Sequence, residues 1–222
     1  MEYLAMLFLL FVPLGIVLLA AKLGKYYLYI SVAVLILFTT IIAGKIVPLA
    51  GLMISAGTPL YAAIFLSTDI LSELYDKNAA KRAVLIGFFV NILFVGLGLI
   101  VLQLPSLNDP LANALNTLFN FTPRLVLGGM IAYVISQNID VFIFHKVKER
   151  IGEKHLWLRN NVSTVLSQGI DTTLVYTIAF AGIIPELWKV ILINWIVKVV
   201  VAVADTPFLY IAKRIGPQHD ET

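Results

Sequence analysis

Long runs of apolar residues dominate this chain, and they limit what it can fold into. A run of roughly 20 apolar residues can cross the hydrocarbon core of a bilayer as a helix. By that measure the sequence predicts seven spans, at residues 4–21, 26–44, 51–75, 82–103, 122–145, 160–181 and 187–211. Of the 222 residues, 60% are hydrophobic and 13% are charged, unlike the composition of a soluble domain. We therefore expect an all-α fold, a polytopic membrane helix bundle.

The first run, residues 4–21, follows Glu2 rather than a basic cluster and is longer than the core of a signal peptide, so we expect it to be retained. The continuity of the third span is left open, because Pro48 and Pro59 each remove a backbone donor. The longest loop, residues 104–121, is too short for a soluble domain. The absence of cysteine excludes disulfides and thiolate metal sites.

The basic residues are distributed unequally between the two sides of this seven-span bundle. Twelve of the sixteen Lys and Arg residues fall on one side: Lys22, Lys25, Lys77, Lys81, Arg82, Lys146, Lys148, Arg150, Lys154, Arg159, Lys213 and Arg214. The opposite side holds Lys45, Arg124 and Lys189. The positive-inside rule puts the basic side in the cytoplasm of a prokaryotic inner membrane, with the N-terminus outside and the C-terminus inside. The net charge of +3 is thereby explained without a nucleic-acid partner.

Polar side chains interrupt the predicted spans, and two of these interruptions are nearly the same motif. The pattern Ser-Gln-x-Ile-Asp occurs at residues 136–140 and again at 167–171. On antiparallel helices Gln137 and Gln168 would both lie about 12–14 Å from the cytoplasmic end, at 1.5 Å per residue. Further polar residues fall within the spans: Asp69, Glu73, Asn91, Asn138, Asn194, Lys198 and Asp205. We expect these side chains to form one polar layer inside the bundle.

Buried charge is expensive in a membrane, and two interpretations of the layer remain open. Each charged group at the bilayer centre costs about 2.5–3.5 kcal/mol. The polar groups could be interhelical hydrogen-bonding contacts, which we weigh most heavily for Asn91 and Asn194. Alternatively they line a cavity for a small solute, since amides and carboxylates can bind the polar edge of a heterocyclic base. In that case we expect the ring between spans five and six, with Gln137 and Gln168 contacting its edge.

Three blocks of sequence resemble one family of membrane proteins. They are FLSTDILSELYDKNAAKRA at 65–83, YVISQNIDVFIFHKVKER at 133–150 and LWLRNNVSTVLSQGIDTTLVYTIAFAG at 156–182. The chain thereby resembles the queuosine precursor transporters, also called the vitamin uptake transporter family, from about residue 27 to 212. The resemblance implies a six-helix membrane domain at residues 26–214, preceded by an additional transmembrane helix at 1–25 and followed by a short cytoplasmic tail at 215–222.

The resemblance also implies a function and a set of site residues. It implies import of a deazaguanine-type base, such as cyano-deazaguanine, aminomethyl-deazaguanine or queuine, for tRNA modification. The family motifs fall on Thr68, Asp69 and Glu73, on Gln137 and Asp140, on residues 159–164, on Gln168 and Asp171, and on Lys198. Together with the polar layer, the expected substrate-binding residues are Asp69, Glu73, Asn91, Gln137, Asp140, Asn161, Gln168, Asp171 and Lys198. For Asn160 and Asn161 a helix N-cap is an equal alternative.

Rival classes are weakened by missing motifs. An intramembrane enzyme would need a nucleophile or metal shell, but the sequence has no HExxH, no GxSxG and no cysteine, so we expect no catalytic residue, metal or cofactor. A substrate-binding subunit of an energy-coupling-factor-type vitamin importer would need a partner ATPase, because this chain has no GxxxxGK[ST] motif. A non-transport structural subunit is the other alternative. The expected partners are a small-molecule substrate and membrane lipid, and formation of a homo-oligomer is left open.

Overall fold

The computed structural model describes residues 2–42, 45–49, 52–106, 110–120, 123–152, 154–182 and 186–216. These residues form eight helices, which are α1 (Glu2–Leu23), α2 (Lys25–Ile42), α3 (Thr58–Leu74), α4 (Lys77–Val101), α5 (Pro110–Asn120), α6 (Pro123–Ile151), α7 (Leu156–Phe180) and α8 (Leu187–Ile215). Two strands, β1 (Ile46–Leu49) and β2 (Leu52–Ser55), lie between α2 and α3. The fold is thus a helical bundle with one short hairpin.

The hairpin corrects the predicted third span, which was placed at residues 51–75. Strands β1 and β2 pair antiparallel, with Ile46 opposite Ser55 and Leu49 opposite Leu52. The helix begins only at Thr58, with Pro59 in its first turn. Proline is tolerated there because the first turn has no intrahelical partner for that N–H. The all-α prediction therefore describes the helical body of the molecule but not residues 46–55.

Among the described residues, five helices are long and apolar enough to cross a membrane: Tyr3–Leu23, Lys25–Ile42, Lys77–Val101, Leu127–Ile151 and Leu187–Ile215. Helices α3 and α7 do not meet the same criterion. Helix α3 has 17 residues, or about 25 Å at 1.5 Å per residue, and α7 contains many polar residues. The structure supports a multi-pass helical membrane bundle, in which seven crossings remain a prediction.

Helix α3 occupies the centre of the bundle. It packs against α1, α2, α4, α6 and α8, and 14 of its 17 residues are buried. The surrounding helices instead expose large apolar side chains on their outer faces, including Leu7, Phe89 and Val200. Because α3 is shielded by its neighbours, it can carry polar groups that a lipid-facing helix would not tolerate.

The turn between α6 and α7 is shorter than the predicted cytoplasmic loop, residues 146–159. Helix α6 continues to Ile151 and ends at Gly152, whose positive φ of 67° suits glycine at a helix end. Helix α7 begins at Leu156, so Arg159 lies inside this helix and is fully buried. The prediction that Arg159 belongs to the cytoplasmic loop is therefore wrong, and its guanidinium is paired with Glu73 within the bundle.

Helix α5 and Pro207 are two further local features of the bundle. The predicted outer loop, residues 104–121, contains the short helix α5, whose Phe119 packs against Phe94 with ring centroids 5.2 Å apart. Helix α8 contains Pro207 in its interior. Pro207 follows Asp205, a fully buried carboxyl, by two residues.

Candidate functional site

The repeated motif forms a reciprocal pair of hydrogen bonds between α6 and α7. The Ser136 hydroxyl donates to Asp171 Oδ1 over 3.2 Å, and the Ser167 hydroxyl donates to Asp140 Oδ1 over 2.8 Å. All four side chains are buried. Each copy of the motif thus supplies a serine to the aspartate of the other copy. The prediction that the two copies meet at one level of adjacent helices is confirmed.

Gln137 faces the central helix α3. Its Oε1 accepts a hydrogen bond from the Thr68 hydroxyl over 3.1 Å. Its Nε2 is buried and has no acceptor among the described residues. An amide nitrogen without an acceptor is costly in a protein interior, roughly 1–3 kcal/mol. This N–H group is therefore available to a bound molecule.

Asp69 lies one residue beyond Thr68 on α3 and is fully buried. Within the part of the chain that the structure describes, neither of its oxygens has a hydrogen-bond donor, and Oδ2 of Asp140 also lacks one. The carboxyls of Asp69 and Asp140 are neighbours in the interior of the bundle. Across the described ranges, no group of three or more His, Cys, Asp or Glu residues is arranged to hold a metal ion.

Asp171 is a buried carboxyl that is paired with Lys198. Lys198 on α8 donates to Asp171 Oδ2 over 2.6 Å, and the ammonium also lies 4.8 Å from the ring centroid of Tyr61. Beside this pair is a small cavity between α3, α7 and α8, with a volume of about 10 Å³. Gln168 lines it, and Oε1 of Gln168 is buried without a donor among the described residues. The cavity does not lie between α6 and α7, where the sequence predicts the ring.

Asn161 is positioned by contacts within α7 and with α8. Its Nδ2 donates to the Trp157 carbonyl over 2.8 Å and to Thr206 Oγ1 over 2.9 Å. The neighbouring Asn160 donates to Asp205 Oδ1 over 3.1 Å. Because α7 begins at Leu156, both asparagines lie inside the helix. The N-cap alternative for these two residues is therefore wrong.

Glu73 is surrounded by cations from three other helices. Arg159 Nη2 lies 2.7 Å from Glu73 Oε2, Lys213 Nζ is hydrogen-bonded to Oε1, and Lys148 Nζ lies 3.6 Å from Oε2. Only 2% of the Glu73 side chain is exposed. We call Glu73, Lys148, Arg159 and Lys213 the ionic cluster. It ties together the C-terminal ends of α3, α6 and α8 and the N-terminal part of α7.

Asn91, one of the predicted site residues, is hydrogen-bonded to the neighbouring helix α2. Its Oδ1 accepts a hydrogen bond from Thr40 of α2 over 2.9 Å. The structure therefore joins Asn91 to the α2–α4 packing. By contrast, it brings Asp69, Gln137 and Asp140 together, and it brings Gln168, Asp171 and Lys198 together.

Thr58 and Tyr61 line the cavity, and Ser136 is hydrogen-bonded to Asp171, but none of the three was expected from the sequence to be a site residue. Tyr61 stands in an apolar run, where an aromatic residue normally indicates core packing. Ser136 could have been found, because it occupies the same position in its motif as Ser167. Thr164 was part of a family motif and also lines the cavity, with its buried hydroxyl unpartnered among the described residues.

Comparison with known proteins identifies the family. The family model described as "Putative vitamin uptake transporter" matches residues 55–212. A curated protein from Bacillus subtilis (strain 168), named "Probable queuosine precursor transporter", is 33% identical over 204 residues, covering 90% of this chain and 89% of that protein. No solved structure matches the chain. With this family match, a relative of nearly the same length and apolar helices long enough to cross a bilayer, the chain belongs to the queuosine precursor transporter family of membrane transporters.

Proposed function

We propose that this protein imports a queuosine precursor, a deazaguanine-type base such as cyano-deazaguanine, aminomethyl-deazaguanine or queuine, for tRNA modification. The observation that carries the proposal is a set of buried polar atoms without protein partners among the described residues. They belong to Asp69, Gln137, Asp140 and Gln168, on three helices of the bundle. The name of the curated relative supports the choice of substrate class.

The chemistry of these atoms matches the edge of such a base. The free Nε2 of Gln137 is a donor, whereas the free oxygens of Asp69, Asp140 and Gln168 are acceptors when the carboxyls are ionised. A guanine-type edge offers a carbonyl acceptor beside ring and exocyclic N–H donors. A bound base can therefore pair with groups that are left unsatisfied in the empty protein, each worth about 1–3 kcal/mol.

The orientation of the bundle in the membrane is proposed from its charge distribution. We propose seven crossings, with the N-terminus outside, the C-terminus in the cytoplasm and α1 added to a six-helix core. The ionic cluster supports this orientation, because it contains Lys148 and Lys213 at the ends of α6 and α8. Basic residues concentrate on the cytoplasmic side of inner-membrane proteins.

The function is tested by binding and uptake with matched variants. Gln137→Leu and Gln168→Leu each remove an amide, so each should weaken deazaguanine binding to purified protein roughly 5–150-fold. Uptake of labelled cyano-deazaguanine by cells that cannot make it should fall in parallel. Asn138→Leu is the control, because Asn138 shares the motif with Gln137 but donates to the Val134 carbonyl.

Two outcomes would contradict the proposal. The first is that wild-type protein shows no binding and no uptake of any deazaguanine. The second is that a vitamin such as riboflavin or biotin competes better than a deazaguanine does. Equal effects of Gln137→Leu and Asn138→Leu would instead count against the assigned residues.

A further inference from the structure

The small cavity between α3, α7 and α8 combines an aromatic face, an ammonium and unpartnered acceptors. Tyr61, Thr164, Gln168 and Lys198 all line it. We propose that this cavity is where the base ring binds, with Tyr61 as the surface on which the ring stacks and Lys198 as the group that selects a 6-oxo over a 6-amino ring. The inference rests on the proposed function and adds Tyr61 and Thr164 to the site.

The contact between Lys198 and Tyr61 shows which face can receive the ring. The ammonium lies 4.8 Å from the centroid of the Tyr61 ring and is held there by Asp171 at 2.6 Å. A planar heterocycle can stack on the Tyr61 ring in place of this cation–π contact. Stacking on aromatic side chains is strong and is open to every kind of nucleic-acid base. Lys198 can stay paired with Asp171, because an ammonium has three N–H donors and Asp171 uses one.

The polar groups around the cavity then distinguish between bases. Lys198 presents only donors, so it suits the carbonyl oxygen at position 6 of a guanine-type ring. The amino group at the same position of an adenine-type ring would place donor against donor. Oε1 of Gln168 is free to accept from the adjoining N–H groups, and the unpartnered Thr164 hydroxyl can donate or accept.

The cavity must widen to admit a base ring. At about 10 Å³ the polar cavity holds about one water molecule. An apolar crevice of about 240 Å³ shares Thr58 and Val201 with it; residues of α1, β2, α3 and α8 line this crevice, including the exposed Tyr3 and Leu7 at the surface of the bundle. Movement of these two residues would join the two spaces, and their combined volume approaches the roughly 300 Å³ at the lower end of ligand pockets. Binding is therefore expected to move Thr58 on α3 and Val201 on α8.

The test measures binding of 7-deazaguanine and 7-deazaadenine to the purified full-length protein. Tyr61→Phe keeps the ring and should change affinity less than about threefold, whereas Tyr61→Leu removes the stacking surface and should weaken 7-deazaguanine binding roughly 5–150-fold. Thr164→Val should weaken it less than Tyr61→Leu. Tyr176→Leu is the matched control, because Tyr176 on α7 packs against Phe180 instead, with ring centroids 5.6 Å apart.

The selectivity of Lys198 is tested without leaving a buried carboxylate unpaired. The double variant Asp171→Asn with Lys198→Met removes both charges, and thermal unfolding checks that it folds. It should lose the preference of the wild type for 7-deazaguanine over 7-deazaadenine. A preserved preference, or equal effects of Tyr61→Leu and Tyr176→Leu, would overturn the inference. If Gln137→Leu still weakens binding in that case, the proposed function stands, whereas a wild type that binds no deazaguanine contradicts both.

Discussion

Asp69 and Glu73 lie one helical turn apart on α3, and both are buried, yet their surroundings are opposite. Glu73 is contacted by the cations of Lys148, Arg159 and Lys213. Asp69 has no donor among the described residues and faces the carboxyl of Asp140. Helix α3 therefore carries a well-paired carboxyl and an unpaired one at nearly the same place.

This difference distinguishes a buried charge that stabilises the fold from a buried charge that serves binding or transport. A buried ion pair contributes to the fold when its geometry is good and its remaining hydrogen bonds are made, as in the ionic cluster. An unpaired buried carboxyl lowers stability, so its presence favours a role in binding or transport. The contrast predicts that changes at the two residues will alter different properties, stability at Glu73 and transport at Asp69.

The largest effect on stability is expected for Glu73→Gln. This change leaves the fully buried Arg159 without its carboxylate. Breaking a buried ion pair by removing one partner costs about 3–5 kcal/mol. The free energy of unfolding in detergent should fall by that amount. Glu186→Gln is the control, since its partner Lys189 is at the surface. Equal stability of Glu73→Gln and wild type would show that the ionic cluster does not hold the helix ends together.

Asp69→Asn should have the opposite profile. The new amide can donate to Asp140, and a hydrogen bond to a charged group contributes about 1.5–3 kcal/mol, so unfolding should become less favourable or stay unchanged. Uptake of a labelled deazaguanine should fall by about tenfold or more, because an acceptor facing the substrate is lost. Loss of stability together with full uptake would contradict the assignment.

The reciprocal bonds of the repeated motif should contribute unequally. Ser167→Ala removes the donor at 2.8 Å from Asp140, which has no cation of its own among the described residues, and should cost about 1–3 kcal/mol of stability. Ser136→Ala should cost less, because Asp171 keeps Lys198 when that 3.2 Å bond is lost. Unfolding measurements on the two variants give the comparison directly. A larger loss of stability for Ser136→Ala would contradict the expectation that the aspartate without a cation depends more on its serine.

The smallest effect is expected outside the bundle interior. Lys189 and Glu186 form an ion pair at the start of α8, with 49% and 62% of their side chains exposed. Lys189→Ala should change the free energy of unfolding by less than about 0.5 kcal/mol, because exposed pairs are solvent-screened. A change as large as that of Glu73→Gln would erase the distinction between buried and exposed ion pairs in this protein.

The sequence predicted the helices that face lipid better than the helix that does not. The apolar runs gave α1, α2 and α4 with ends within a few residues, except for the start of α4. The start of α3 was misplaced because residues 46–57 are apolar enough to resemble a span, while hairpin pairing depends on tertiary context. Periodicity cannot separate a short buried strand from a piece of helix.

The site was predictable where its signal was local and was missed where it was not. Spacing within the repeated motif was sufficient to predict that its two copies meet. Arg159 was assigned to a loop because its partner Glu73 is 86 residues away in sequence. Tyr61 gave no signal, since only the position of Lys198 on another helix shows that its ring borders a polar cavity.

Pro207 gives α8 a mechanical asymmetry. A proline inside a helix cannot donate to the carbonyl four residues earlier, here Val203, so the helix is easier to bend at that point than along a continuous ladder. Lys198 lies before Pro207, and Lys213 lies after it, where it is tied to Glu73. The segment of α8 that borders the cavity can therefore tilt while the C-terminal end of the helix stays fixed. The interior of the molecule can then change in width while the ionic cluster stays paired.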